Sequence, residues 1–430
     1  MSPGPQEAIV MIGSLGRQAT RRMRQVPRLL RTEGLRPVLE RFRRVSSDWL
    51  APSTAVPLVK SADVIAADLS RPYLAPVPPW YPGQRVIANW IVTPPAPRSG
   101  GHTTLFRMVR YLEEHGYTNR VYFYNASGSD HRYFEDVVRN YYGFDGPVED
   151  VARGMEDAHF VIATSWPTAY AAFNARSAGK RFYFIQDFEP DFYPAGSLRA
   201  FAENTYRMNF SGISIGRAFA KKIAEEFGMD VATFAYGCDV SMYRVLPNRP
   251  RSGIVFYARR DAARRGLDLG LMTLQRFAER RPSVPIHIYG DRLGTLSFPY
   301  TDHGSINCEQ INEIYNSCHA GLSLSFTNVS LVALEMLAAG CVPVVNDTPS
   351  VRMDLRSAYV SYEAANPAAL CAGLERILDS SNQEERARSA ANSVQSVRWE
   401  DAGAAFDRIL RRSLVPDLQD IGHEAALAAN

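Results

Sequence analysis

"SLSFTNVSLVALEMLAAGCVPVVND", residues 323–347, carries a single charge before its final aspartate. That charge is Glu335, set among Leu331, Leu334, Leu337 and Ala338. Burying a lone carboxylate costs roughly several kcal/mol unless something pairs with it. The run is long enough to suggest a membrane span. Its Ser, Thr and Asn content, the internal Glu335, and the breaks at Gly340 and Pro343 favour a different reading. "GLSLS" ends a strand, "FTNV" is a loop, "SLVALEMLAAG" is a helix opening near Ser330, and "VPVVND" is a buried strand. The N–H groups of residues 328–331 would then point at an anion. Glu335 would lie one and a half turns into the helix, able to accept from two adjacent hydroxyls such as those of a ribose. Pairing with a neighbouring arginine is the structural alternative.

The pattern extends in both directions. Strand-like runs at 85–93, 120–125, 159–164, 181–187, 212–216 and 232–237 alternate with helical runs. "PNRPRSG" (247–253) is a polar, proline-bearing break. A second series follows at 254–259, 285–291, 320–325, 342–347 and 359–362. Strands alternating with helices predict a parallel sheet with crossover helices. The expectation is α/β, with two doubly wound Rossmann-like domains facing a central cleft. The boundaries are 85–246 for the first domain and 247–395 for the second. A helix at 396–413 follows, then a polar tail at 414–430. Ligands of such sheets bind beyond the carboxyl ends of the strands, so the cleft between the halves is the default site.

The 430 residues exceed one hydrophobic core. A net charge of +3 argues against a nucleic-acid binder. The five cysteines are scattered and odd in number, as in a reducing compartment, and no signal peptide is read at the start. The expected location is the cytoplasm, with peripheral contact at the inner face of the membrane as an option. Residues 1–50 hold ten arginines against four acids, with apolar residues at near-helical spacing between Arg17 and Arg44. Such a basic amphipathic arm fits an anionic membrane surface, the body of the protein or a second subunit. Residues 51–84 are a Pro- and Ala-rich linker or strap.

Three loops after strands carry candidate chemistry. "RSGGHTTL" (98–105) sets Arg98, Gly100, Gly101 and His102 before a helix, where small residues let backbone N–H groups approach a ligand. An ordinary tight turn and an ordinary loop histidine read equally well. "FYARRDAARRGLDLGL" (256–271) gathers Arg259, Arg260, Arg264 and Arg265 around one strand-to-helix loop. Like charges so close repel, and a bound diphosphate would reconcile them, since arginine pairs with phosphate oxygens bidentately. "FIQDFEPDFYP" (184–194) places Asp187, Glu189 and Asp191 at a strand end, where a carboxylate can bind acceptor hydroxyls or act as a base. A solvated acidic loop is the alternative. No Asp-x-Asp triplet and no His/Cys/Asp cluster with ligand spacing is present, which favours a metal-independent reaction.

"SLVALEMLAAGCVPVV" resembles the nucleotide-sugar motif of GT-B glycosyltransferases of the glycosyltransferase 4 type. "YARRDAARRG" is similar to that family's diphosphate loop, and "AYGCDVSMY" (235–243) to its interdomain turn. "RSGGHTTLFRMVRYL", "FIQDFEPDFYPAGS" and "ARRDAARRGLDLGL" resemble the WsaF-type bacterial rhamnosyltransferases. The likeness runs from about residue 85 to 412, and more loosely over the basic arm. It implies a sugar transferred, without a metal, from a nucleotide donor to a growing surface glycan or lipid-linked glycan. Within the subgroup, dTDP-L-rhamnose is the implied donor.

By the same resemblance, Arg259, Arg264 or Arg265 and Gly290 would meet the donor, as would Thr327, Asn328, Val329 and Ser330. Glu335 would hold the ribose. Gly100, Gly101 and His102 would face the reaction centre from the first domain; beside that resemblance, Arg98 with the two glycines is the expected acceptor side, and Asp187, His102 and Glu189 are the candidate catalytic groups. The chain departs from the motif at Thr327, where the family's first Glu would stand. That leaves three readings open: a rhamnosyltransferase, a transferase using a UDP- or GDP-linked sugar, and a catalytically weak nucleotide-binding subunit of a polysaccharide-assembly complex.

Overall fold

A computed structural model describes residues 58–97 and 99–414. The basic arm, the last residues of the chain and Arg98 lie outside the described residues.

Short Val-, Ile- and Phe-rich runs form two parallel sheets. The first joins β1 (Val86–Val92), β2 (Tyr117–Phe123), β3 (Val148–Asp150), β4 (Phe160–Ala163), β5 (Lys180–Ile185), β6 (Ser211–Ile215) and β7 (Val231–Phe234). Its order is β3-β2-β1-β4-β5-β6-β7. The second joins β8 (Gly253–Ala258), β9 (Ile286–Gly290), β10 (Thr301–Gly304), β11 (Cys318–Leu322), β12 (Val342–Asn346) and β13 (Ser361–Glu363). Its order is β10-β9-β8-β11-β12-β13. In register, Val86 faces Tyr117 and Ala88 faces Phe160, while Ile254 faces Ile286 and Ala320 faces Val342.

Both sheets reverse direction beside their first strand, between β1 and β4 and between β8 and β11. Crossover helices on the two faces leave a crevice at such a reversal. The loops that enter it follow β1, β4, β8 and β11. The four sequence-predicted clusters sit on the loops after β1, β8 and β11 and on the neighbouring loop after β5.

The strands bury both faces, as parallel strands under helices must. The helix Gly100–Glu114 buries Leu105, Phe106, Met108, Val109 and Leu112 against the first sheet. The helix Leu331–Ala338 buries almost every side chain, because it is sandwiched between the second sheet and the helix Gln383–Asn392.

Among the described residues, several connections join the lobes. The helix Trp399–Arg412 leaves the second lobe and packs on the first, where Phe406 is buried and stacks on Trp90 at 5.9 Å. Gly403 lies against the Tyr111 ring so closely that a Cβ would come within 2.4 Å of it. Asp354 reaches across to cap the helix Arg217–Phe227, accepting from Arg217 N–H at 2.7 Å and Ala218 N–H at 3.2 Å. That is the end of a helix where a negative charge is favoured. A further connection is the cleft-side clasp described next. Among the described residues, no helix is long and apolar enough to cross a membrane.

Candidate functional site

The loop after β8 and the loop after β11 form one unit. Arg264 C=O accepts from Phe326 N–H at 2.9 Å. Arg265 Nη1 donates to Ser325 Oγ at 3.0 Å. Gly266 joins them because its φ of +60° and a would-be Cβ 2.9 Å from Phe326 both require glycine. Asn346, at the end of β12, pins the second loop by accepting from Ser325 N–H at 2.8 Å and donating to Ser325 C=O at 2.7 Å.

The arginines of the loop divide. Arg260 donates to the carbonyls of Arg292 and Leu293, so it ties down a neighbouring loop instead of joining a clamp. Arg265 is enclosed, and its pKa is lowered by burial and by the Arg264 charge beside it. Arg264 lies 3.4 Å from Asp187 Oδ2 through Nε, with its guanidinium over the Phe192 ring at 4.6 Å. That Nε is buried and makes no hydrogen bond. No ion pair or hydrogen bond engages the Arg259 side chain among the described residues. An enclosed Arg265 and a half-buried Arg264, whose Nε–H makes no hydrogen bond, give the cleft two adjacent cations able to meet an anion.

Asp187 comes from the opposite lobe, just beyond β5. Its Oδ2 accepts from Thr327 Oγ1 at 3.0 Å and its Oδ1 from Phe188 N–H at 2.9 Å. Burial pushes the carboxyl up to about 6, against the pull of Arg264 and Arg265. Beside it, Asn328 Nδ2 donates to Gln186 C=O at 3.4 Å, and Gln186 Nε2 donates to Gly101 C=O at 3.1 Å. Gln186 and Asp187 thus bridge the start of the helix Gly100–Glu114 to the donor-side loop.

Glu335 faces another part of the cleft. Its carboxylate is partly buried and accepts no hydrogen bond from the described residues. Burial and the nearby Asp239 push it up to about 7, while Arg107 pulls it down. Arg107 itself pairs with Asp239 and stacks on Trp399 at 4.6 Å. The structural alternative for Glu335, a direct arginine pair, is therefore not what the protein builds. Ser330 caps the helix with extended backbone but without a side-chain bond, and Val329 is buried beneath the loop.

Other candidates have different roles. His102 has both ring nitrogens engaged: Nε2–H donates to Thr93 C=O at 3.1 Å, and Nδ1 accepts from Ser99 Oγ at 2.9 Å. Burial lowers its pKa, so the ring is neutral and braces the loop between Thr93 and Ser99. Glu189 is also engaged within the fold. Its buried carboxyl accepts from Trp166 N–H at 2.7 Å at the start of the helix Trp166–Asn174, and burial pushes it up to about 8. Gly290 has a backbone reason, since its φ is +109° and a Cβ would stand 2.2 Å from Ala258 C=O. Gly100 is open to solvent, and Gly101 lies beside Gln186. Among the described residues, no group of three or more His, Cys, Asp or Glu side chains is arranged to hold a metal ion.

Sequence reasoning missed Gln186, Ser325, Phe192 and Asn346. Each is a common residue whose role comes from strand-end placement in three dimensions.

Comparisons with known proteins bear on the fold that carries this geometry. The C-terminal domain model of WsaF matches residues 252–375, and its N-terminal domain model matches residues 149–218. The O-antigen biosynthesis protein RfbC of Myxococcus xanthus is 32% identical over 274 residues, 61% of this chain and 21% of that protein. The match thus spans about a fifth of the length of that relative. Sucrose-phosphate synthase from Thermosynechococcus elongatus aligns with TM-score 0.59 at 13% identity, over 76% of this chain and 99% of its own. Anabaena HepE in complex with UDP and glucose aligns with TM-score 0.57 at 15% identity, over 76% and 99%. WaaG, a glycosyltransferase involved in lipopolysaccharide biosynthesis, aligns with TM-score 0.56 at 13% identity, over the same shares. At these identities the structural likeness speaks for the fold. The structural matches define the class of fold, GT-B. Within that class the chain is WsaF-like, with matches to both WsaF domains in a single GT-B frame.

Proposed function

We propose that this protein transfers L-rhamnose from dTDP-L-rhamnose to a growing cell-surface polysaccharide, at the cytoplasmic side of the membrane. One observation carries the donor site: Arg264 and the enclosed Arg265 stand side by side on one strand-end loop, and the buried Arg264 Nε–H makes no hydrogen bond, its nearest acceptor being Asp187 Oδ2 at 3.4 Å. A diphosphate supplies acceptors and offsets the repulsion between the two charges. Arg259, whose side chain makes no ion pair or hydrogen bond with the described residues, joins them. Glu335 accepts from the ribose hydroxyls. The amides at the start of the helix Leu331–Ala338 add partial positive charge. Rhamnose follows from the sequence motifs that resemble WsaF-type rhamnosyltransferases, a likeness the two WsaF domain matches share, and the match to an O-antigen biosynthesis protein supports polysaccharide assembly.

In the reaction, the bond between the anomeric carbon and the diphosphate oxygen breaks and the electron pair leaves on the diphosphate. The acceptor hydroxyl oxygen bonds to the anomeric carbon and gives up its proton. The guanidiniums sit where negative charge grows, which stabilises the transition state more than the ground state. No metal is part of this proposal.

Titration calorimetry with dTDP, UDP and GDP tests the site. Wild type is expected to bind at least one of them. Arg259→Ala with Arg265→Ala is expected to lose about 3–6 kcal/mol, two charged hydrogen-bonding partners, which abolishes measurable binding. Retained affinity would make the arginine loop a surface feature and overturn the assignment. Binding with no turnover of any donor would favour the assembly-subunit reading, which Thr327 at the motif position already suggests.

A further inference from the structure

The donor-side loop from Ser325 to Ser330 offers hydroxyl and amide side chains and no carboxylate. A sugar ring presents neighbouring hydroxyl donors, and an ionised acceptor is their strongest partner. The structure brings such an acceptor from the other lobe. Asp187 is 5% exposed, and its Oδ2 meets Thr327 Oγ1 in the middle of that loop at 3.0 Å.

The two cleft carboxylates keep different company. Asp187 senses Arg264 and Arg265, while Glu335, eight positions after Thr327, senses Asp239 and Arg107. They therefore address different parts of a ligand whose diphosphate rests on the arginines. If Glu335 marks the ribose, Asp187 stands on the glycosyl side. A carboxylate has about four acceptor positions. The protein fills one with Phe188 N–H and one with the Thr327 hydroxyl, and the Arg264 Nε–H nearby makes no hydrogen bond.

We propose that Asp187 binds the hydroxyls of the donor sugar, supplied by the first lobe to a donor loop that has no carboxylate of its own. This rests on the donor-site reading above. Without ligand, the Thr327 hydroxyl occupies the place of a sugar hydroxyl. With ligand, the sugar exchanges for it while Arg264 turns to the diphosphate. Asp187 is then a specificity-determining residue: it distinguishes a nucleotide sugar from the bare nucleotide.

The test is the affinity ratio of sugar-bearing to bare nucleotide, by calorimetry, for dTDP-L-rhamnose and dTDP, UDP-glucose and UDP, and GDP-mannose and GDP. The pair that wild type binds is carried through Asp187→Asn and Thr327→Val. Asp187→Asn is expected to weaken the sugar-bearing ligand by about 10- to 100-fold, leaving the bare nucleotide within about threefold. Retention of bare-nucleotide binding also shows that the variant is folded. Thr327→Val removes the cross-lobe bond but keeps the carboxylate, and it is expected to change the ratio by less than about tenfold, a neutral hydrogen bond. An unchanged ratio in Asp187→Asn overturns the proposal. So does an equal loss in Thr327→Val, which would make Asp187 a latch acting through Thr327. A wild type that binds bare nucleotide but no sugar-bearing form better than Asp187→Asn does sinks this proposal alone. One that binds none of the six ligands sinks the donor site and this proposal with it.

Discussion

Replacing Glu335 by Gln should make the ligand-free protein more stable and the donor complex weaker. The carboxylate accepts no hydrogen bond from the described residues, and its pKa rises from 4.5 to about 7, chiefly through burial. A carboxyl raised in this way destabilises the fold when charged. The penalty is absent below the unfolded value, grows as pH rises, and is complete above the folded value. The shift corresponds to roughly 3 kcal/mol. Water reaches this partly buried group, so about 1–2 kcal/mol should survive. Urea unfolding of Glu335→Gln should therefore show a gain of about that size at pH 8 and almost none at pH 4.5. The same variant should lose about 1.5–3 kcal/mol of donor affinity, or roughly 10- to 150-fold. A variant less stable than wild type at pH 8, or one that gains equally at both pH values, would refute the reasoning. Unchanged donor affinity would remove Glu335 from the site.

His102→Ala should cost about 1–3 kcal/mol by unpairing Thr93 C=O and Ser99 Oγ. Because folding holds this histidine neutral, wild type should lose stability as pH falls below 6.5, and urea midpoints should show the variant losing less over that range. Gly290→Ala forces a Cβ onto Ala258 C=O at a positive φ, so a thermal melt should show destabilisation above about 2 kcal/mol.

Much of the fold is legible because the sheets are buried on both sides. Runs such as "RVIANWIVT" and "VPVVND" are continuous and apolar, and the structure makes them β1 and β12. The two strands without a sequence signal are β3 and β10. Both lie at sheet edges, and "VED" and "TDHG" carry no apolar pattern because one side has no partner strand. The expected strand at 320–325 is shifted. β11 spans Cys318–Leu322, and Ser325 is held by Asn346 instead of by a ladder.

The site is legible where a residue is chemically out of place. Glu335 in an apolar helix and the arginines on a strand-end loop are visible in one dimension, because their cost is visible there. His102 and Glu189 look equally chemical in sequence, yet their hydrogen-bonding capacity is used within the fold. That distinction depends on Thr93, Ser99 and Trp166, residues with no chemical signature of their own. The meeting of Asp187 with Thr327, 140 residues apart in sequence, arises when the two lobes close on each other.

The most direct test of the account is turnover of a small donor panel: dTDP-L-rhamnose, UDP-glucose, GDP-mannose and UDP-N-acetylglucosamine, with and without lipid-linked glycan acceptors. The account predicts saturable binding of dTDP-L-rhamnose, slow hydrolysis alone and faster sugar transfer with an acceptor present. Absence of binding and turnover for all four donors would contradict it.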